Sequence, residues 1–242
     1  MTRTLTEFSQ KKIERRMGLV GQGFCLALAS RWVRHILDSE KDGWDIPKQA
    51  VGNRLQLLKD EAVALHALHQ KYLARLGKAR DMLDAQEALV LVAKSGFMED
   101  RDNLCDYVKE NSKIIPGLYI LDAKGIYLQK SALLLMETLR VPPKGVASVT
   151  VKNIAVAEMI ASELIHKSST YVVTTKHGAT RDDHAMAIYR SGGAFSTYFY
   201  IFDPNIGEVF ASTLEDAAFV INELMGPGSP SNTNEWNLLR CN

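Results

Sequence analysis

The stretch of sequence that decides the fold is Gly21-Gln22-Gly23-Phe24-Cys25-Leu26-Ala27-Leu28-Ala29-Ser30-Arg31-Trp32-Val33. Two glycines release the backbone, and an apolar run with helical spacing then begins at Cys25. The pattern predicts a tight turn that leads into a helix over 25–38 whose first residue is a thiol. Unpaired N–H groups and the positive end of the helix dipole stabilise a thiolate there, so Cys25 is predicted to be a nucleophile.

The composition is ordinary for a soluble globular protein. The chain has 242 residues, of which 46% are hydrophobic and 24% charged, and its net charge is +1. This near-neutral charge gives no broad electrostatic case for a nucleic-acid or membrane-surface partner. The three cysteines, Cys25, Cys105 and Cys241, are widely spaced, which excludes a disulfide framework and predicts a reduced compartment.

Several specialised signals are missing from the sequence. No apolar stretch approaches the roughly 18 residues that a transmembrane helix needs. The first residues lack the apolar core of a secretory signal peptide. No cofactor motif occurs, and His66 and His69, three positions apart on one predicted helix, suggest a surface pair rather than a metal site. We therefore expect neither a cofactor nor a bound metal.

The pattern predicts an α+β fold, with a helical half that carries the nucleophile followed by a small antiparallel sheet. Before the break at Pro142-Pro143, helices are predicted over 47–75, 79–95, 100–111 and 128–139, with a short strand at 118–121. After it come a helix over 153–167, strands over 170–176, 184–189, 197–202 and 209–210, and a helix over 213–225 capped by Ser212 or Thr213.

We expect a single catalytic domain over 1–225. Its helical part covers about 18–145 and its sheet part about 150–225. Residues 226–242 are rich in Gly, Pro, Ser and Asn and predict a loose C-terminal tail.

His184 and Asp203 are the predicted partners of Cys25. The turn Arg190-Ser191-Gly192-Gly193 joins the second and third β runs into a hairpin, with His184 about nine residues before the turn and Asp203 about ten after it. Near-equal arms predict that the two side chains are close neighbours. Thiol catalysis needs a thiol, an imidazole and a group that holds the imidazole. Each residue alone also fits a structural role, and the pattern by itself leaves both interpretations open.

Three segments resemble the YopT/AvrPphB cysteine protease family. The segment 23–32 looks like its nucleophile motif, with a glycine before the cysteine and a tryptophan seven positions after it. His184-Ala185-Met186-Ala187-Ile188 resembles its histidine segment. Tyr200-Ile201-Phe202-Asp203-Pro204-Asn205-Ile206-Gly207-Glu208-Val209-Phe210 is similar to its aspartate segment. The resemblance spans about 18–225, although 40–150 contains no motif that aligns.

The resemblance implies a papain-like fold and a catalytic triad. Cys25 would be the nucleophile, His184 the general base and acid, and Asp203 the residue that orients the imidazole. The backbone N–H of Cys25 is a natural oxyanion donor, and the amide of Gln22 is a candidate for the second. The alternative for Gln22 is an exposed turn residue.

For function, the resemblance implies a secreted bacterial effector or toxin. It would leave the cell through a specialised secretion system and cleave a specific protein, such as a small GTPase or a kinase, in the cytosol of a host or target cell. An alternative is a lysine fatty acyltransferase on the same scaffold, since both reactions pass through a thioester. A third possibility is a non-enzymatic interaction module whose thiol is structural.

Overall fold

A seven-stranded antiparallel sheet forms the centre of the fold. In the computed structural model, the described residues are 3–19, 23–40, 50–71, 73–74, 135–141, 143–175, 184–192, 197–229 and 235–242. The chain divides into two compact units, Met1–His69 with Ala132–Asn242, and Gln70–Ser131. The sheet and the candidate site belong to the first unit. The helices predicted over 79–95 and 100–111, and the strand predicted at 118–121, lie outside the described residues.

Helices lie on both sides of Cys25 in the sequence. Their bounds are α1 Gln10–Met17, α2 Cys25–Glu40, α3 Ala50–Asp60, α4 Ile154–Met159 and α5 Leu214–Met225. Helices α2, α4 and α5 begin within one residue of their predicted starts, whereas α1 was not predicted. The chain is also helical over 62–71 and 135–138. Helix α2 begins at Cys25, as predicted. The long helix predicted over 47–75 is interrupted by a turn at Glu61.

The strands come from both ends of the chain. They are β1 Arg3–Glu7, β2 Gly145–Thr150, β3 Ser169–Thr175, β4 Ala185–Arg190, β5 Phe199–Asp203, β6 Gly207–Ala211 and β7 Glu235–Arg240. Their order in the sheet is β1-β6-β5-β4-β3-β7-β2, with antiparallel pairing throughout. The predicted hairpin is formed by β4 and β5, in which Ala187 pairs with Phe202.

The prediction of a loose C-terminal tail is wrong. Residues 235–240 form β7, which lies inside the sheet between β3 and β2. Trp236, Leu238 and Leu239 are buried, and the buried amide of Asn237 accepts a hydrogen bond from Ser148 Oγ. The burial of these apolar side chains outweighs the turn-forming composition of the residues before them. Strands β1 and β2 were also not predicted, so the sheet is wider than the sequence indicated.

Helices cover both faces of the sheet. On one face, α4 and α5 enclose an apolar core that includes Met186, Ile188, Ile201 and Ile221. On the other face α2 packs across β3, β4 and β5, where the rings of Trp32 and Phe202 stack with centroids 5.8 Å apart. Cys25, at the start of α2, therefore lies near the strand ends instead of over the middle of the sheet.

Two side chains fix the ends of the helices that enclose this core. Helix α4 continues into a π-helical turn over Ile160–Leu164, and Arg190 donates hydrogen bonds to the carbonyl oxygens of Ala161, Ser162 and Ile165 at its end. A cation at a helix C-terminus satisfies free carbonyl groups and opposes the helix dipole. At the start of α5, Thr213 Oγ1 accepts from Asp216 N at 3.0 Å, which confirms the predicted cap. No helix in the described part of the chain is long and apolar enough to cross a membrane.

Candidate active site

Cys25 is half-buried at the first position of α2. The residue before it, Phe24, is fully buried and packs edge-on against the ring of His66 at 5.4 Å. The first hydrogen bond of this turn runs from Leu28 N to Phe24 O at 3.1 Å. Phe24 thus fixes the start of the helix in the core, while the thiol of the next residue stays near the surface.

His184 and Asp203 are in direct contact. The distance between His184 Nε2 and Asp203 Oδ2 is 2.7 Å. The register that pairs Ala187 with Phe202 places Met186 opposite Asp203 and His184 two positions further along, so the contact is diagonal across β4 and β5. Diagonal neighbours on one face of a sheet lie within reach of long side chains. The near-equal arms of the hairpin predicted that His184 and Asp203 are close neighbours, and the two side chains are in contact.

The Asp203 carboxylate is held by the backbone of the turn that Asp203 begins. Asp203 is 5% exposed, and its Oδ1 accepts from Asn205 N at 2.7 Å. Ile206 N donates to Asp203 O at 3.1 Å and closes the turn. At the end of the turn, Gly207 has φ +133°, and an added Cβ would lie 2.1 Å from Thr6 O. Only glycine fits this position, because the backbone angle and the neighbouring strand both exclude a side chain. Oδ2 is left to face the imidazole.

Two neighbours on the other side hold His184. Thr175 N donates to His184 O at 3.1 Å, and His184 N donates to Thr175 Oγ1 at 3.2 Å. The indole of Trp236 meets the imidazole nearly edge to face, with centroids 6.3 Å apart and an interplanar angle of 76°. Trp236 itself is fully buried and donates from Nε1 to Met225 O at 3.2 Å. Sequence analysis missed this contribution of β7, although the Trp236-Asn237-Leu238-Leu239 run is an apolar signal beyond the polar stretch.

The imidazole of His184 interacts with both Asp203 and Cys25. Burial alone lowers the pKa of His184, but hydrogen bonds to Asp203 and Cys25 and the charges of both groups outweigh burial and raise that pKa to about 10. Because Nε2 faces Asp203, Nδ1 is the nitrogen left for the thiol. The ring is therefore a cation at neutral pH, placed between a carboxylate and a thiol.

Cys241 provides a contrasting thiol in the same unit. It is buried after β7, its Sγ donates to Leu239 O at 3.3 Å, and burial raises its pKa to about 12. A thiol in such surroundings is inert near neutral pH. Cys105 lies outside the described residues.

A buried charge cluster joins the nucleophile segment to the aspartate segment. Glu208 accepts from Trp32 Nε1 at 2.6 Å and from Arg54 Nη2 at 2.6 Å. Arg54 lies over the rings of Trp32 and Tyr200, at 5.9 and 5.1 Å from their centroids. Trp32 is on the Cys25 helix and Glu208 follows the Asp203 turn, so the cluster fixes α2 relative to β6. Trp32 belongs to the nucleophile motif and Glu208 to the aspartate segment, but nothing in the sequence around Arg54 predicted its role.

The other sequence candidates do not extend this site. Gln22 lies outside the described residues, so its oxyanion role stays a prediction. His66 and His69 are buried, which contradicts the predicted surface pair, and burial lowers the pKa of His69 to about 4. Among the described residues, no group of three or more His, Cys, Asp or Glu side chains could hold a metal ion.

Comparison with known proteins gives a match in structure. No protein-family model matches the chain, and no curated protein sequence matches it. The crystal structure of the Pseudomonas avirulence protein AvrPphB does match, with a TM-score of 0.53 over 96% of this chain and 95% of that chain. The chain has the AvrPphB fold. The sequence identity is 13%, so the likeness concerns the fold alone.

The AvrPphB match confirms the α+β, papain-like fold that the three motifs implied. A second solved structure is PatoxP, a cysteine protease-like domain of the Photorhabdus asymbiotica toxin PaTox. It aligns over 98% of this chain and 90% of that chain at 14% identity, but its TM-score of 0.28 is too low to carry an argument.

Proposed function

We propose that this protein is a cysteine protease of the bacterial effector or toxin type, with Cys25 as nucleophile, His184 as general base and acid, and Asp203 as the residue that orients His184. One observation carries the proposal. The ring of His184 hydrogen-bonds Asp203 through Nε2 and also hydrogen-bonds Cys25. A thiol, an imidazole and an orienting carboxylate in this sequence of contacts are the parts that thiol acyl transfer needs.

The first half of the reaction acylates Cys25. The Cys25 thiolate attacks the carbonyl carbon of the substrate peptide bond, a C–S bond forms, and the carbonyl oxygen becomes an oxyanion. The protonated His184 then donates its proton to the leaving nitrogen as the C–N bond breaks. An amine leaves, and a thioester stays on Cys25.

The second half regenerates the site. His184, now neutral, removes a proton from a water molecule that attacks the thioester, and the C–S bond breaks to release a carboxylic acid. Throughout, the Asp203 carboxylate holds the ring orientation and favours the imidazolium. The N–H of Cys25, at the start of α2, would be one donor to the oxyanion in both halves.

The fold supports the biological setting of the proposal. AvrPphB is described as an avirulence protein, and this chain shares its fold. We therefore propose that the protein leaves the bacterium through a specialised secretion system and cleaves a specific protein, such as a small GTPase or a kinase, in the cytosol of a host or target cell.

Alkylation by iodoacetamide at pH 7 tests the thiol–imidazole pair without knowledge of the substrate. Peptide mapping by mass spectrometry separates the rate at Cys25 from the rates at Cys241 and Cys105. We expect Cys25 to react at least about tenfold faster in the native protein than in His184→Ala, because the imidazole that contacts the thiol activates it.

Two variants and an internal control define the outcome. His184→Ala should lose the fast alkylation of Cys25, whereas His166→Ala, which changes an exposed histidine outside the site, should keep it. Cys241 should stay unlabelled in the native protein because it is buried. Equal Cys25 rates in the native protein and in His184→Ala, or an equal loss in His166→Ala, contradict the proposed pair.

The mass of a treated target protein separates proteolysis from the alternative, a lysine fatty acyltransferase. Both reactions form a thioester at Cys25, and they differ in whether water or a lysine amine resolves it. Candidate GTPases and kinases are incubated with the protein, with and without a fatty acyl-CoA. New fragments that are absent with Cys25→Ala support the protease, and an added acyl mass on an intact target supports the acyltransferase.

A further inference from the structure

The outward face of α1 is a strip of positive charge. Lys11, Lys12, Arg15 and Arg16 are all exposed. At 3.6 residues per turn they occupy one arc of about 140° on the helix surface. The opposite side carries Gln10 and Ile13, which are buried. Every helix position within this arc is therefore a cation.

These four charges are not neutralised within the described part of the chain, where none of them forms an ion pair. Glu14 lies on the inner flank of the helix, where its Oε1 accepts from Gln10 Nε2 at 2.8 Å. Glu7 is exposed at the end of β1, before the helix begins. Since the whole chain has a net charge of only +1, the strip is a local feature and not part of a generally basic protein.

Helix α1 is attached directly to the candidate active site. Gln10 N donates to Pro204 O at 2.7 Å, one residue after Asp203, and Phe8 N donates to Ile206 O at 3.2 Å. The Gln10 side chain also packs against Gly23, two residues before Cys25, where an added Cβ would lie 2.5 Å from Gln10 Nε2. The inner side of α1 is thus held against both the aspartate turn and the nucleophile segment, and the cationic strip lies on the outer side of the same helix.

We propose that this strip, Lys11, Lys12, Arg15 and Arg16, is a docking surface for an acidic segment of the substrate protein. The proposal rests on the proposed function, because the acidic segment would belong to the protein that the site cleaves. Lys11 and Arg16 are separated by about 7.5 Å along the helix axis. An extended peptide advances about 3.3 Å per residue, so the strip matches two to four acidic side chains.

The same observations argue against an anionic membrane as the partner. A helix that lies in a membrane interface inserts apolar side chains from the face that meets the lipid. The cationic arc of α1 has none, since Ile13 is buried and Met17, which is exposed, is the last residue of the helix and lies outside that arc. With so little apolar surface beside it, the strip suits a short acidic peptide better than insertion into a bilayer.

The test uses Cys25→Ala protein and a fluorescein-labelled hexaglutamate peptide, with binding followed by anisotropy at low salt. The docking variant replaces Lys11, Lys12, Arg15 and Arg16 by Gln, which preserves helix propensity. The matched control replaces four exposed lysines on other elements by Gln, namely Lys71, Lys144, Lys152 and Lys167. We expect the docking variant to bind hexaglutamate at least about tenfold more weakly and the control to bind within about twofold of the parent.

Each outcome decides the proposal. Loss of binding in the docking variant alone, together with weaker binding at high salt, supports it. No binding to the parent protein, or an equal loss in the control, overturns it, as does binding of vesicles of phosphatidylcholine and phosphatidylserine with no binding of the peptide. The Cys25 alkylation rates of the native protein and of His184→Ala are measured alongside. A rate that falls in His184→Ala, together with no binding of hexaglutamate to the Cys25→Ala parent, refutes the docking surface and leaves the proposed function standing. Equal alkylation rates, together with peptide binding that is lost only in the docking variant, do the reverse.

Discussion

Replacing Glu208 by Gln removes one charge from the buried cluster that fixes the nucleophile helix. Arg54 and Glu208 have side chains that are only 3% and 1% exposed, and Arg54 Nη2 lies 2.6 Å from Glu208 Oε1. In Glu208→Gln, Arg54 stays charged and buried without its partner. Since a guanidinium cannot lose its proton in a protein, we expect a loss of about 3–5 kcal/mol in the free energy of unfolding.

Replacing Arg54 instead of Glu208 should reduce the free energy of unfolding less. Burial raises the pKa of Glu208, an effect larger than the opposing ones of Arg54 and Trp32, so this carboxyl can take up a proton once the arginine is gone. We expect Arg54→Met to cost about 2–3 kcal/mol at neutral pH and less at lower pH, because the folded state then binds the proton more tightly than the unfolded chain. The double variant Arg54→Met with Glu208→Gln keeps the hydrogen bond from Trp32 and should be within about 1 kcal/mol of the native protein.

Urea unfolding followed by far-ultraviolet circular dichroism measures these free energies. The chain supplies a more accessible pair for comparison, since Arg31 binds Glu61 through two hydrogen bonds of 2.6 and 2.7 Å with both side chains 31% exposed. Glu61→Gln should cost no more than about 1 kcal/mol, because solvent reaches and screens this half-buried pair. If the two single losses in the cluster simply add in the double variant, or if Glu61→Gln costs as much as Glu208→Gln, the reasoning about the buried charges is refuted.

Three further predictions concern the site and its surroundings. Trp236→Ala should destabilise the fold by about 3–5 kcal/mol and slow the alkylation of Cys25, whereas Trp236→Phe should keep the native rate; equal rates in both variants would rule out a role for the ring against His184. Gly207→Ala should reduce stability by several kcal/mol in urea unfolding, since its Cβ would overlap Thr6 O, and a fully stable variant would contradict that geometry. The pKa of His69 is about 4, so between pH 6.5 and 4 the unfolded chain binds a proton that the folded chain excludes, and acid should cost roughly 3 kcal/mol of stability. In His69→Gln this loss should disappear from the difference between urea midpoints at pH 7 and pH 4.5, and an unchanged loss would assign it to another group.

The sequence predicted most of the candidate site because its signals are local. The two glycines and the apolar spacing after them located the start of α2 at Cys25. The Gly192-Gly193 turn predicted the β4–β5 hairpin, and equal arm lengths then brought His184 and Asp203 together. Each of these inferences needs only residues within about twenty positions of one another.

The unpredicted parts depend on contacts between distant residues. Strand β7 pairs with β3 and β2, about 65 and 90 residues earlier in the chain, and its polar preceding segment concealed it. The contact of Trp236 with His184 follows from that pairing and has no local signature. Arg54 lies in an ordinary helical sequence that gives no sign of its role. Its part in the buried charge cluster follows only from the folded structure, in which Glu208 binds both Arg54 and Trp32.

The sequence by itself therefore predicted which residues carry the proposed chemistry, and it determined, to within about two residues, where the elements that bear them begin and end. Only the tertiary structure decided what surrounds them: the C-terminal strand behind His184, the buried charges behind Trp32, and the N-terminal helix beside the aspartate turn. The physical reason is that caps, turns and periodicity act over a few residues, whereas sheet order and burial are set by the free energy of packing the whole chain.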